Sequence, residues 1–169
     1  LMDIVEVDTT QGIKPALITL LQDSVASGAS VGFLPPLTEE QGLVYWQGIE
    51  TELAAGSRRL WVAFLQHQLV GALQLSLCTK ANGRHRAEVE KLMVHSLHRG
   101  KGVGRALMAS MEQGAREAGR SLLVLDTRVG DAASRLYRQL GYQEAGQIPA
   151  FARSADGTLA ATLFFYKQL

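Results

Sequence analysis

Apolar residues recur along this chain with two periods, and the switches between those periods divide it into elements. Met2, Ile4, Val5 and Val7 predict a first strand over residues 2–7. Over 15–26 the apolar positions are Ala16, Leu17, Leu20, Leu21 and Val25, the spacing of one helix face. Gly28 and Gly32 interrupt that face, and Pro35-Pro36 excludes helix. Thr38-Glu39-Glu40-Gln41 then reads as a capped helix start with acidic residues in its first turn, and the helix is predicted to reach Ala55 and stop at Gly56. Residues 60–65 and 69–77 are apolar runs on either side of Gln66-His67-Gln68, the pattern of a hairpin. A polar loop follows, turning at Asn82-Gly83.

The second half alternates strand and helix. Residues 87–94 predict a strand, 103–119 a helix, 121–127 a strand and 131–140 a helix. A short strand over 142–146, a loop around Pro149 and a last strand over 159–167 complete the chain. The order is β-αα-βββ-α-β-α-ββ, without internal repeat or linker. It predicts a single mixed α/β domain over 1–169, with helices flanking one mostly antiparallel central sheet.

Composition narrows the functions this domain can have. With 169 residues and 47% apolar side chains, it has material for a real core. A net charge of +1 offers no broad field for nucleic acid. No apolar run reaches transmembrane length and no signal-peptide pattern opens the chain, so no membrane partner is expected. The single cysteine, Cys78, excludes an internal disulfide framework and fits a reducing cytoplasm. It sits in an apolar run, as a small buried hydrophobe does, rather than among groups that would activate it. No His, Cys, Asp and Glu set has metal-ligand spacing.

The basic residues are informative where they cluster. Arg99-Gly100-Lys101-Gly102-Val103-Gly104 lies between a predicted strand and a predicted helix, with Arg105 next. Glycines let the backbone approach an oxygen closely, and a helix N-terminus presents unpaired N–H groups and a favourable dipole. Such a turn suits a pyrophosphate. It is not a Walker A loop, because the Gly-Lys-Ser/Thr ending is absent, and the glycine spacing is wrong for a dinucleotide fingerprint.

Arg99, Gly102 and Gly104 do fit Arg/Gln-x-x-Gly-x-Gly/Ala, the acetyl-CoA pyrophosphate signature of the GNAT acetyltransferase superfamily, which the chain resembles. A second motif, Ala-x-x-x-Tyr-x-x-x-Gly-Phe/Tyr, is matched by Ala133, Tyr137, Gly141 and Tyr142. One position departs: Gly130 stands where the family often carries Asn, and Asp131 beside it is placed to cap the helix instead. The runs Gly28 to Phe33, Leu60-Trp61-Val62, Gln74 to Cys78, Arg86 to Val89 and Leu125-Asp126-Thr127 are similar to the tabtoxin-resistance branch, whose members N-acetylate a small amino-acid-like β-lactam. The resemblance implies a sheet splayed open beside the loop and acetyl-CoA as cosubstrate. It also implies direct transfer to a primary amine in a ternary complex. The pyrophosphate would take Arg99, Gly100, Lys101, Gly102, Val103, Gly104 and Arg105. The pantetheine would pair with the backbones of Leu92, Met93 and Val94, with Ser134 and Tyr137 also at the cofactor.

The reaction needs an acid, a base and an oxyanion donor. Tyr137 matches the family's acid, and a phenol pKa of roughly 10 is close to that of a leaving thiol. Glu88 and Asp126, near the ends of neighbouring strands, are the base candidates, and either suits an acceptor ammonium. Glu90 shares the face of Glu88 by the two-residue period, and His95 and His98 flank the loop. The oxyanion donor is expected to be a backbone N–H near Met93. Residues 31–35 form the expected lid, with Phe33 and Tyr45 as acceptor-binding aromatics, although aromatics at helical spacing such as Tyr45 and Trp46 are usually core. Residues 149–151 would close the other side. The acceptor is thus expected to be a small-molecule amine, with a toxin or antibiotic as the finer reading, for a monomer or homodimer. A protein or peptide acceptor, and a non-catalytic CoA sensor, stand as the alternatives.

Overall fold

A computed structural model describes all of residues 1–169. The elements are β1 (Met2–Val7), α1 (Lys14–Ala26), α2 (Glu39–Ala55), β2 (Arg58–Leu65), β3 (Gln68–Leu77), β4 (Arg86–Val94), α3 (Val103–Glu117), β5 (Leu122–Arg128), α4 (Ala133–Gln139), β6 (Gln143–Arg153) and β7 (Leu159–Gln168). A single 3₁₀ turn at Ser96–His98 precedes the glycine loop. The seven strands form one sheet in the order β1-β2-β3-β4-β5-β7-β6, antiparallel throughout except for β4 against β5.

Local chemistry accounts for most boundaries. α2 starts in a complete capping box, Thr38 with Gln41, and ends on left-handed Gly56. The β2–β3 turn is tight, with Gln66 and His67 both at positive φ, the mirror-image turn that suits the twist of a hairpin. Both faces of the sheet are covered, so β2 is apolar on both. Trp61 and Ala63 pack toward α3, and Leu60 and Val62 toward α1 and α2.

Two irregularities in β4 open the site. Ala72 pairs with Met93 and Gln74 with Glu90, so β4 holds one residue more than β3 across that interval. The extra residue is accommodated at Lys91, whose φ is +56°. A bulge of one residue inverts side-chain parity. Ala87 and Val89 pack on the α3 side before it, whereas Met93 packs on the α1–α2 side after it. Glu90 and Lys91, consecutive in sequence, therefore serve the same face: Glu90 binds Arg58, and Lys91 lies over Tyr45 of α2. The second irregularity is that β4 and β5 stay in register for only three pairs, ending at Glu88 with Val124. Beyond that pair the strands part.

The C-terminal part differs from the expectation at two places. Pro149 lies inside β6, which runs to Arg153, and not in a loop. β6 is the edge strand, where a missing N–H costs no ladder bond, and a register shift between Ile148 and Ala152 absorbs the distortion. Asp131 does not cap α4 with its side chain. The N-cap is Ala132, with no side-chain bond, because the Asp131 carboxylate is taken by Arg128.

Candidate active site

The parting of β4 and β5 creates a cleft of about 1130 Å³. Its walls are the segment between α1 and α2, the residues of β4 from Glu88 on, the glycine loop, the end of β5, α4 and part of β6–β7. The segment 31–35 and Phe151 both reach it, from opposite sides, where the sequence places a lid and a closing residue.

One end is built for an anion. Every backbone N–H from Gly100 to Arg105 lacks an acceptor within the chain; the first satisfied donor is Ala106, bonded to Gly102. Gly100 and Gly102 sit at φ +76° and +83°, conformations that turn successive N–H groups to one side. Gly102 is also the N-cap of α3, so the helix dipole acts at the same point. Arg99 and Arg105 flank the cleft, Arg99 Nε donating to the Val94 carbonyl at 3.3 Å and Arg105 to Gln139 at 2.6 Å. Lys101 points away from the wall, 3.2 Å from His98 Nδ1. The start of the loop is clamped to α1: Asp23 accepts from the Ser96 N–H at 2.8 Å and from its hydroxyl at 2.6 Å. Burial pushes the Asp23 pKa up, but these bonds, with His95 and Arg99 nearby, outweigh it and hold the carboxyl below its ordinary range. His95 thus belongs to the clamp.

The middle of the cleft holds the ionisable groups. The freed edge of β4 runs through Leu92, Met93 and Val94, all on the cleft wall. Tyr137 of α4 also lines it; its ring packs against Tyr142 and Phe165, with centroids 5.9 and 5.8 Å away. The Tyr137 hydroxyl has no partner in the chain. Burial first, then the Asp131 and Asp126 carboxylates, push its pKa well up, so the phenol is protonated at neutral pH. Glu88 also lies on the wall, and its pKa is raised, by burial first and then by Glu90 and Asp126. Asp126 accepts from the Thr162 hydroxyl at 2.6 Å. Glu88 and Asp126 are therefore brought together across the opening, as the sequence predicted. Glu90 is committed to the nearly buried Arg58, at 2.6 Å.

Two candidates stand elsewhere. Tyr45 does not reach the main cleft. It borders a smaller hollow of about 340 Å³ that shares Phe33 with the cleft, and its hydroxyl accepts from Gln74 at 2.9 Å. Burial pushes its pKa up to about 12. Ser134 is buried behind the wall, its hydroxyl without a partner. Sequence reasoning passed over Lys91 and Arg128. Arg128 ties the α1–α2 segment to β5 through the Gly28 carbonyl at 2.9 Å. Neither belongs to a motif; the positive φ of Lys91 is visible only in the fold.

The model of the acetyltransferase (GNAT) family matches residues 28–142, which contain both the glycine loop and Tyr137. The chain belongs to the GNAT family. Among curated relatives, this GNAT chain is 36% identical over 89 residues to N-acetyltransferase 8F1 of Rattus norvegicus and 35% identical over 89 residues to N-acetyltransferase 8B of Homo sapiens. Each match covers 52% of this chain, and 40% and 39% of the relatives, so the chain spans well under two thirds of their length. Of solved structures, the ribosomal-protein-alanine N-acetyltransferase of Brucella melitensis is similar over 100% of this chain and 99% of its own, at 26% identity and TM-score 0.82. yncA of Salmonella typhimurium, solved with its cofactor acetyl-CoA, shares the fold at TM-score 0.81 and 22% identity, over 99% of this chain and 94% of its own. No helix here is long and apolar enough to cross a membrane.

Proposed function

We propose that this GNAT chain transfers the acetyl group of acetyl-CoA to a primary amine of a small molecule, with both reactants bound at once. The observation that carries the reading is one continuous cleft. It joins a floor of unpaired N–H groups at Gly100–Arg105 to a freed strand edge flanked by Glu88 and Tyr137.

Acetyl-CoA supplies an activated thioester on a long amide-bearing arm ending in a pyrophosphate. The N–H groups of Gly100 to Arg105, with the charges of Arg99 and Arg105, receive the pyrophosphate, and Lys101, outside the lining, adds only long-range positive charge. The edge at Leu92, Met93 and Val94 offers backbone groups to the arm, as an added strand would use them. A backbone N–H near Met93 stabilises charge on the acyl oxygen. Glu88, whose raised pKa makes it a better base near neutrality, takes the amine proton, with Asp126 beside it holding the ammonium. Tyr137, kept protonated, returns a proton to the departing sulfur. Cys78 lies outside the cleft, which favours direct transfer over an acyl-enzyme on this thiol.

The finer form of the proposal is an amino-acid-like toxin or antibiotic as acceptor, as in the tabtoxin-resistance branch, acted on in the cytoplasm by a monomer or homodimer. The rival acceptor is a protein N-terminus, which the likeness to the ribosomal-protein-alanine N-acetyltransferase favours. Calorimetric titration of acetyl-CoA tests the donor, and a mass-spectrometric screen of small amines beside an alanine-initiated peptide tests the acceptor. Binding followed by acetylation of small amines supports the proposal. A folded protein that ignores acetyl-CoA overturns it, and acetylation of the peptide alone replaces the small molecule with a protein.

A further inference from the structure

Most charges around the acceptor half of the cleft are already satisfied. Arg128 binds Asp131 at 3.0 Å and the Gly28 carbonyl. Arg58 holds Glu52 and Glu90, and Asp126 accepts from Thr162. Three charged side chains lining the cleft have no hydrogen-bond or ion-pair partner, Glu88, Lys91 and Arg135, and of these Glu88 and Lys91 stand together on β4.

Lys91 is held in an unusual way. Its backbone sits at φ +56°, where a non-glycine side chain is strained, because the β4 bulge requires it. The bulge turns Lys91 to the α1–α2 face, with its ammonium 5.6 Å from the centre of the Tyr45 ring. The nitrogen also lies beside the lid, 3.7 Å from where a Cβ on Gly32 would stand. Tyr45 is itself fixed by Gln74, and Gln74 by Arg58. A rigid polar network therefore backs the ammonium from behind, and the cleft lies in front. Burial pulls the Lys91 pKa down and Arg58 adds to it, against the pull of Glu90, Glu88 and Asp126. Three carboxylates act on this ammonium through space, yet none is in direct ion-pair contact with it.

We infer that Lys91 receives a carboxylate of the acceptor, so that the acceptor is a small amino carboxylate held between Lys91 and Glu88. Lys91 and Glu88 are three residues apart on one strand, a rise of about 10 Å at most between their roots. Both side chains are long and Glu88 acts on the Lys91 charge, so the α-ammonium and α-carboxylate of one amino acid, which share a carbon, each meet a partner through a charge-assisted hydrogen bond. The ammonium of the acceptor lies between Glu88 and Asp126 and the carboxylate goes to Lys91, while the tyrosine ring beneath Lys91 keeps the cation aimed. Lys91 is a specificity residue in this arrangement and takes no part in proton transfer.

The inference rests on the acetyl-transfer reading, and one experiment separates their failures. Each standard amino acid is assayed beside its α-amide and its decarboxylated amine, reading the CoA thiol released from acetyl-CoA. The free amino acids should exceed their amides in kcat/KM by roughly tenfold to a hundredfold. Lys91→Met should collapse that ratio toward one through KM, and Lys91→Arg should restore part of it. Lys91→Gly, which suits the positive φ, serves if the Met variant does not fold. In the parent protein a preferred amino acid should also shield Lys91 from an amine-reactive label, mapped by peptide mass spectrometry, whereas its amide should not. Amides acetylated as well as acids, or equal losses on both in Lys91→Met, would overturn the inference and leave acetyl transfer standing. Absence of any amine acetylation despite acetyl-CoA binding would overturn both.

Discussion

Glu88 and Val124 are the last residues at which β4 and β5 stand in register, and the Glu88 carboxylate lines the cleft that opens beyond them. A carboxylate at the mouth of a sheet opening is partly stripped of water yet faces the cleft. Its raised pKa follows from that position, reinforced by Glu90 and Asp126.

The raised pKa has a definite sign in kinetics. The base works ionised, so kcat/KM should climb with pH through an inflection above the ordinary glutamate range. Asp126→Asn removes one negative neighbour and should move the inflection down, while Glu88→Gln should abolish it. For stability the direction is opposite to that of a salt-bridged acid: a raised folded pKa helps the fold below the unfolded pKa and the help is lost as pH rises through the folded value. A pH–rate profile without a limb at Glu88 would remove it as the base.

Tyr137 has an unpartnered hydroxyl, so Tyr137→Phe takes no hydrogen bond from the fold. Thermal stability should barely change and acetyl-CoA should still bind in calorimetry. Turnover should fall by about 10²-fold to 10⁴-fold, the usual worth of a positioned acid. Unchanged turnover would reassign the acid. A parent protein that binds acetyl-CoA without any turnover would favour the sensor alternative.

Gly102 and Gly104 are sensitive for different reasons. Gly102 sits at φ +83°, which a β-branched residue resists, whereas at Gly104 a Cβ would only touch Leu136, at 3.4 Å, and the added γ-methyls of valine would crowd it. Changing both to Val should distort the N–H floor and lower acetyl-CoA affinity by at least about tenfold, read by calorimetry, with the distant α1–α2 core still formed by circular dichroism. Affinity equal to that of the parent would place the pyrophosphate elsewhere.

Glu112, on the buried face of α3, is held by the Tyr142 hydroxyl at 2.9 Å and the Lys167 ammonium at 2.8 Å. Lys167→Met leaves that carboxylate with only Arg116, at 3.9 Å, as a cation and should cost about 2–4 kcal/mol in urea unfolding. Tyr142→Phe removes one neutral donor and should cost about 1–3 kcal/mol. The reverse ranking would mean that the tyrosine carries the site.

The glycine loop and Tyr137, the candidate acid, were legible because their chemistry is local. A glycine that must take a positive φ, a helix start and a tyrosine in a helical motif depend on near neighbours in sequence, so Arg99 to Gly104 and Tyr137 can be read from the string of letters. The order of strands and helices follows from hydrophobic period for the same reason. What depends on pairing between distant segments was decided by the tertiary structure. The alternation rule puts Glu88 and Glu90 on one face and Lys91 on the other, but the bulge against Ala72 and Gln74 brings Lys91 to the same side. Pro149 reads as a loop until β6 proves to be an edge strand, where the ladder does not need its N–H. Asp131 reads as a cap until Arg128 claims its carboxylate, and Tyr45 reads as a wall of the site until Gln74 holds its hydroxyl behind it. In each case a long-range hydrogen bond or register outweighs a local preference worth about a kilocalorie, and such partners are set only when the sheet is assembled.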